Sequence, residues 1–226
     1  MKTGPRLGVL GGTFDPIHLG HLDAAEAARA ALSLDGVMLL PSHDPPHKAA
    51  DPRASGFHRF AMVCLAVADR PGYVASDLEL TRPGPTYTVD TLRALHAQGW
   101  RPSQLFFVIG ADAFADIATW REFPAVMDRA HFVVIGRPGA TLEGALARAP
   151  QLRPRVRDPR GPGADAPGTG VFLVEARTSD VSSTLIRARL AGGQSIADLV
   201  PPAVAHHIVT HHLYGAEDNL HGQDQR

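Results

Sequence analysis

Largely apolar runs and amphipathic segments alternate along this chain, which predicts strands and helices in turn. The apolar runs predict strands at residues 7–10, 37–40, 105–109, 131–135 and 171–174, and an extended stretch at 73–80. Helical spacing predicts helices at 19–32, 57–68, 88–96 and 113–119, followed by a mostly helical region at 182–213.

Short apolar strands separated by helices indicate a parallel sheet whose two faces are both covered. We therefore predict an α/β fold, a Rossmann-like doubly wound parallel sheet with helices on both faces and a helical C-terminal region. In such sheets ligands bind at the carboxyl ends of the strands. Residues 11–12, 110–112 and 136–138 each follow a predicted strand, so the binding site is expected there.

Length and composition fit one domain. The 226 residues, 44% of them hydrophobic, are enough for one sizeable core, and we predict a single domain over 1–226. Residues 153–170 are rich in Pro, Gly and Arg and are expected to form a loop or disordered insertion. Its four arginines are a potential contact for RNA. A solvated insertion is favoured because no aromatic residues are interleaved with them. The tail at 216–226 is polar and expected to fray.

The charge balance excludes some partners. A formal net charge of −1 provides no general attraction for a polyanion, so no nucleic-acid partner is expected and a phosphate site must be built locally. The single cysteine, Cys64, excludes an intramolecular disulfide. No signal-peptide pattern and no apolar segment of membrane-spanning length are visible, so we expect a cytoplasmic protein without a membrane partner.

The most informative stretch is GVLGGTFDPIHLGH at residues 8–21. Gly11 and Gly12 follow a strand and allow backbone N–H groups to approach an anion. The start of the next helix adds its positive dipole end at the same place. His18 and His21, three residues apart, are expected to lie on one helix face and reach one phosphate together. The stretch therefore predicts phosphate chemistry.

Other segments that follow predicted strands also contain candidate site residues. In Ser-Ser-Thr-Leu-Ile-Arg at 182–187, hydroxyls and helix-start N–H groups suit a phosphate chain, and Arg187 suits pyrophosphate. Lys48 supplies a compact cation in a proline-rich loop. Asp112 is expected to cap the next helix, to accept from ribose hydroxyls, or to do both. Trp120 either packs in the core or stacks on a flat ring. Thr86 or Thr88 is expected to cap the helix that follows.

These residues together resemble the nucleotidyltransferases with the HxGH motif, and within them the bacterial nicotinate-nucleotide adenylyltransferase family. The resemblance rests on GGTFDPIHLGH, PPHK, DLELxRxGPTYTVDTL, FVIGAD, the tryptophan, GRPG and SSTLIR, and covers nearly all of 6–138 and 171–214. The DLELxRxGPTYTVDTL element favours this branch over phosphopantetheine adenylyltransferases and over glycerol-phosphate or choline-phosphate cytidylyltransferases.

The resemblance implies transfer of AMP from ATP to nicotinate mononucleotide, with Mg²⁺ carried by ATP, in NAD biosynthesis. It implies catalytic roles for His18, His21 and Arg187. The implied ATP contacts are Gly11, Gly12, Thr13, Gly110, Ile135, Arg137, Ser182 and Ser183. The implied mononucleotide contacts are Lys48, Thr86, Tyr87, Asp112 and Trp120.

Several alternatives stay open at the level of sequence. The same chemistry on nicotinamide mononucleotide is the nearest, and a non-catalytic nucleotide sensor is a second. The oligomeric state is not readable, so a homo-oligomer stays open. His207 and His211, four apart on a predicted helix, form a potential metal pair, but the sequence suggests no third ligand and we predict no protein-bound metal.

Overall fold

A computed structural model describes residues 4–43, 53–136 and 141–216. Its described part contains a seven-stranded, wholly parallel sheet in the order β3-β2-β1-β4-β5-β7-β6. The strands are β1 Leu7–Gly12, β2 Gly36–Pro41, β3 Tyr73–Ala75, β4 Leu105–Gly110, β5 His131–Gly136, β6 Val156–Arg157 and β7 Val171–Glu175.

The α-helices lie on both faces of this sheet, as predicted. They are α1 Leu19–Leu32, α2 Gly56–Val67, α3 Thr88–Ala97, α4 Ala111–Ala115, α5 Leu142–Ala147, α6 Ser183–Ala191 and α7 Pro202–Thr210. Buried residues of α1, α2, α6 and α7 share one hydrophobic core, and those of α3, α4 and α5 share the other. The doubly wound fold is therefore confirmed.

The central strands are almost entirely apolar because each face meets its own core. In β4, Phe106 and Val108 pack into one core, whereas Phe107 and Ile109 pack into the other. Successive side chains of a strand point to opposite faces. A strand between two helix layers therefore needs apolar residues at both its odd and its even positions. This requirement explains why continuous apolar runs identified these strands correctly.

Some boundaries differ from the prediction. The extended stretch at 73–80 is a strand only as far as Ala75, after which the chain turns and Thr81 N–H donates to the Asp77 carbonyl at 3.1 Å. The helix predicted at 113–119 is the short α4 followed by a 3-10 helix at Ile117–Thr119. The C-terminal region is helical in two pieces, α6 and α7.

The arginine-rich segment at 153–170, predicted to form a loop or disordered insertion, consists mostly of turns in the structure. It contains 3-10 turns and the edge strand β6, which pairs with β7. The Arg157 guanidinium donates to the carbonyls of Gly163 and Pro167, both at 2.8 Å. Arg155 pairs with Asp128 at 2.7 Å. These arginines satisfy carbonyls and carboxylates of their own chain, which also argues against an RNA-binding role.

Within the described ranges, no helix is long and apolar enough to cross a membrane.

Candidate active site

A cavity of about 860 Å³ opens at the carboxyl ends of the central strands. Gly11 and Gly12 from β1, Gly110 from β4 and Ile135 from β5 line it. The chain runs from β1 to β2 and β3 in one direction and from β4 outward in the other, so the cavity lies where the strand order reverses. The fold thus places the predicted segments at the position where such sheets bind ligands.

Gly11 and Gly12, predicted as a turn after the first strand, are instead the last two residues of β1 and pair with Leu40 and Pro41 of β2. A Cβ atom at Gly12 would lie 3.0 Å from the Phe14 ring, so position 12 has no room for a side chain without displacing it. Thr13 follows and also lines the cavity. Gly11 and Gly12 at the end of β1 and Thr13 after them therefore border the cavity, and their contact with an anion stays a prediction.

The two histidines of the first motif lie together at the start of α1. Their rings stack with centroids 3.7 Å apart and planes at 26°, and both side chains line the cavity. His18, at the N-cap position, donates its backbone N–H to His21 Nδ1 at 3.3 Å. This bond places the proton of a neutral His21 ring on Nε2. The sequence prediction that both rings serve one site agrees with this geometry.

The start of α6 also borders the cavity, but not all of its motif lines it. The Ser182 hydroxyl caps the helix by accepting from Leu185 N–H at 3.1 Å, and Ser182 lines the cavity. Ser183 instead donates to the Pro16 carbonyl at 2.9 Å. Arg187 donates to the Asp15 carbonyl at 2.6 Å. In this structure Ser183 and Arg187 brace the loop that precedes His18.

The cavity also brings in residues that the resemblance assigns to the mononucleotide. Thr86, Asp112 and Trp120 line the cavity. Tyr87 lies beside it, in an adjoining recess of about 40 Å³ that Trp120 also borders, with the Arg121 guanidinium 4.7 Å from the Tyr87 ring centroid.

The structure also resolves the alternatives for these residues. The N-cap of α3 is Tyr87, so neither Thr86 nor Thr88 occupies the predicted cap position. The N-cap of α4 is Gly110, so Asp112 lies inside the helix rather than at its cap. Trp120 packs edge-on against Phe107, in agreement with the core interpretation, and also lines the cavity. Its stacking on a flat ring stays a prediction.

Glu79 is a buried carboxyl that sequence reasoning missed as a site residue. It lines the cavity, is 5% exposed and accepts a hydrogen bond from Thr91 Oγ1 at 2.6 Å. Burial raises the pKa of Glu79 to about 7, against the weaker opposing effects of Thr91 and Arg82. A carboxylate between two leucines, Leu78 and Leu80, was the available signal.

Arg59 is a second residue that the sequence analysis overlooked. Its buried guanidinium donates to the carbonyls of Thr13 at 2.8 Å and Ser42 at 2.7 Å, which joins the loops after β1 and β2. Burial lowers the pKa of Arg59, and Asp15 partly opposes that shift. The signal was its position: 59, 62, 63 and 66 form one buried helical stripe, and an arginine in such a stripe needs internal partners.

Asp15 ties this loop to the C-terminal part of the chain. Its carboxylate accepts from the backbone N–H groups of Arg53 at 2.8 Å and Ala54 at 3.0 Å, and from the Tyr214 hydroxyl at 2.7 Å. Arg187 lies 3.9 Å away. The loop that positions His18 is thus held by contacts from α6, from the segment before α2 and from the segment after α7.

Two predicted site residues, Lys48 and Arg137, lie outside the described residues. The cavity therefore brings together Gly11, Gly12, Thr13, His18, His21, Thr86, Gly110, Asp112, Trp120, Ile135 and Ser182.

Comparison with known proteins gives a consistent result. The cytidylyltransferase-like family model matches residues 9–189. A probable nicotinate-nucleotide adenylyltransferase of Roseiflexus sp. (strain RS-1) is 43% identical over 216 residues, covering 95% of this chain and 100% of its own. One from Citrifermentans bemidjiense is 42% identical over 213 residues, covering 92% and 98%.

Solved structures agree on the fold. Plasmodium falciparum nicotinic acid mononucleotide adenylyltransferase complexed with NaAD superposes with a TM-score of 0.68 at 19% identity, covering 95% of this chain and 99% of that one. The same protein complexed with APC gives a TM-score of 0.67 at 18% identity, with the same coverage.

Proposed function

This chain belongs to the cytidylyltransferase-like family, and from that premise we propose that it is a nicotinate-nucleotide adenylyltransferase of NAD biosynthesis. It joins the AMP moiety of ATP to nicotinate mononucleotide and releases pyrophosphate. The observation that carries the proposal is the stacked pair His18 and His21 at the mouth of the sheet, in a chain more than two-fifths identical to relatives of that name.

The proposed reaction needs charge neutralisation more than proton transfer. A 5′-phosphate oxygen of the mononucleotide attacks the α-phosphorus of ATP, the bond between that phosphorus and the bridging oxygen breaks, and pyrophosphate leaves. The phosphate nucleophile is already ionised at neutral pH, so no general base is required. Positioning and stabilisation of developing charge account for the catalysis.

The ATP side of the cavity supplies donors for this charge. We assign the α-phosphate to His18 and His21, whose rings lie together and line the same cavity as the glycines that end β1. The backbone of Gly11 and Gly12 and the hydroxyls of Thr13 and Ser182 extend this donor set. Arg187, which lies on α6 five residues after Ser182, is assigned to the β- and γ-phosphates. It exchanges its bond to the Asp15 carbonyl for them.

The remaining assignments follow the two other strand ends. Gly110 and Ile135, with Arg137, are assigned to adenine and its ribose, because the first two line the cavity at the ends of β4 and β5. Thr86, Trp120 and Tyr87 are assigned to the pyridine ring, Asp112 to a ribose hydroxyl and Lys48 to the mononucleotide phosphate. Mg²⁺ enters as part of the substrate, bound to the phosphates of ATP.

The experiment is pyrophosphate release by the full chain with Mg²⁺-ATP, comparing nicotinate mononucleotide with nicotinamide mononucleotide. We expect a strong preference for the acid, because a pocket built around one polar group leaves its partners unpaired with the other. Equal or reversed preference would retain the reaction but contradict the substrate assignment. Binding of ATP without turnover of either substrate would support the sensor alternative.

A further inference from the structure

Three histidines from two distant parts of the chain meet on the face of the sheet that carries α2 and α7. His58 lies in the first turn of α2, and His207 and His211 lie at the end of α7. Ring centroids are 5.0 Å apart for His58 and His211, 5.3 Å for His58 and His207, and 4.3 Å for His207 and His211. None of the three is among the described residues that line the active-site cavity.

The nitrogen atoms of these rings converge. One ring nitrogen from each histidine lies within 4.8 Å of the other two, and His58 Nδ1 is 3.2 Å from His207 Nε2. Zinc bound tetrahedrally at 2.0–2.1 Å separates its nitrogen ligands by about 3.4 Å. Small ring rotations therefore bring the three nitrogens to coordination spacing. The sequence around His207 and His211 suggests no third ligand, and the fold supplies one in His58.

The surroundings also suit a cation ligated by neutral imidazole. Burial lowers the pKa of His207, and the neighbouring His211 and His58 lower it further, so this ring is held in the form that binds metals. His58 and His207 are half-buried and His211 is exposed, which leaves an open side for a water ligand. Three imidazoles with an open fourth position are a common zinc arrangement.

We propose that His58, His207 and His211 form a binding site for a divalent transition metal of the zinc type, separate from the active-site cavity. The metal ties α2 to α7. These two elements also support the loop before His18, since α2 carries Arg59, which donates to Thr13, and Tyr214, four residues beyond α7, donates to Asp15. The site is therefore structural, and it stabilises the frame of the active site without touching the substrates.

The test is titration of the metal-free full-length protein with Zn²⁺ in competition with a chromophoric chelator. We expect one Zn²⁺ per chain with micromolar affinity or tighter. His58→Ala and His211→Ala should each weaken binding by at least about 100-fold, whereas His206→Ala, an exposed neighbour on α7, should bind as the parent does. Equal loss in His206→Ala, or unchanged affinity in His58→Ala, would overturn the proposal.

Thermal unfolding provides an independent readout. Zn²⁺ at 100-fold excess over its Kd should raise the melting temperature by about 5–10 °C, EDTA should reverse the rise, and His58→Ala should abolish it. His18→Ala should retain the full rise, because the cavity histidines are not part of this site. A rise that disappears in His18→Ala but persists in His58→Ala would place the bound metal in the cavity and contradict the proposal.

Discussion

The molecule uses two groups of histidines at opposite kinds of site, and their comparison shows how surroundings set a histidine's role. His18 and His21 are three residues apart with rings stacked at 3.7 Å, and His207 and His211 are four apart with centroids at 4.3 Å. The first pair borders a large cavity beside the glycines that end β1 and at the start of α1. The second pair faces another histidine.

Similar spacing therefore leads to opposite chemistry. Backbone N–H groups and a helix dipole around the first pair favour an anion, and the role proposed for these rings is donation to a phosphate. Beside the second pair His58 Nδ1 lies 3.2 Å from His207 Nε2, and three imidazole nitrogens within 4.8 Å of one another favour a cation. The difference lies in what the fold brings to each pair rather than in the pairs themselves.

The largest effect is expected at the cavity pair. His18→Ala should lower turnover by ~10²-fold or more, because a preorganised donor to the transition state contributes about 2.7 kcal/mol or more. Its stability should change little, since the bond to His21 Nδ1 comes from the backbone N–H of residue 18 and remains. Pyrophosphate release and circular dichroism measure the two effects.

The matched control for that variant is His206→Ala, which should keep parental turnover. Normal turnover in a folded His18→Ala protein would remove this ring from the mechanism and would end the contrast between the two groups.

A second prediction concerns the charge inside the cavity. Burial raises the pKa of Glu79 from 4.5 to about 7, so the folded protein binds this proton more tightly than the unfolded chain. The stability that Glu79 contributes is therefore greatest below pH 4.5 and is lost as the pH rises to 7. Glu79→Gln keeps the neutral form and should raise the free energy of unfolding at pH 8 by about 2 kcal/mol. Urea unfolding measures this gain.

The gain should fade as the pH falls towards 4.5, and the exposed Glu175→Gln should show none. His131 affects the free energy of unfolding in the opposite direction. Burial lowers the pKa of His131 to about 4, so the stability that it contributes is present above pH 6.5 and is lost as the pH falls towards 4. Glu79→Gln should therefore expose a stability that rises with pH between 4 and 6.5. A gain independent of pH would contradict the assignment of a titrating Glu79.

The smallest effect is expected at the connection between the two sites. Tyr214→Phe removes the hydrogen bond to the Asp15 carboxylate and should lower the free energy of unfolding by about 1.5 kcal/mol. Asp15 keeps its two backbone donors, so the loop should hold its shape and turnover should fall by no more than about threefold. Urea unfolding measures the free energy of unfolding of Tyr214→Phe and of the control variant Tyr87→Phe. Equal values for the two variants would show that the hydrogen bond from Tyr214 to Asp15 contributes little.

The sequence by itself determined the repeating architecture and the main chemical elements of the site. Apolar runs located the central strands because a strand buried on both faces must be apolar at both parities. The proximity of His18 and His21 was readable because residues three or four apart at a helix start lie on neighbouring positions of one face.

Only the tertiary structure decided which distant groups share a site. His58 lies 149 residues before His207 along the chain, so no local spacing indicates their contact. The same holds for Arg59, which joins two loops, and for Arg187, whose donors brace Asp15 rather than line the cavity. Local periodicity fixes neighbours within an element, whereas packing of elements onto one sheet fixes neighbours between them, and the latter depends on the whole core at once.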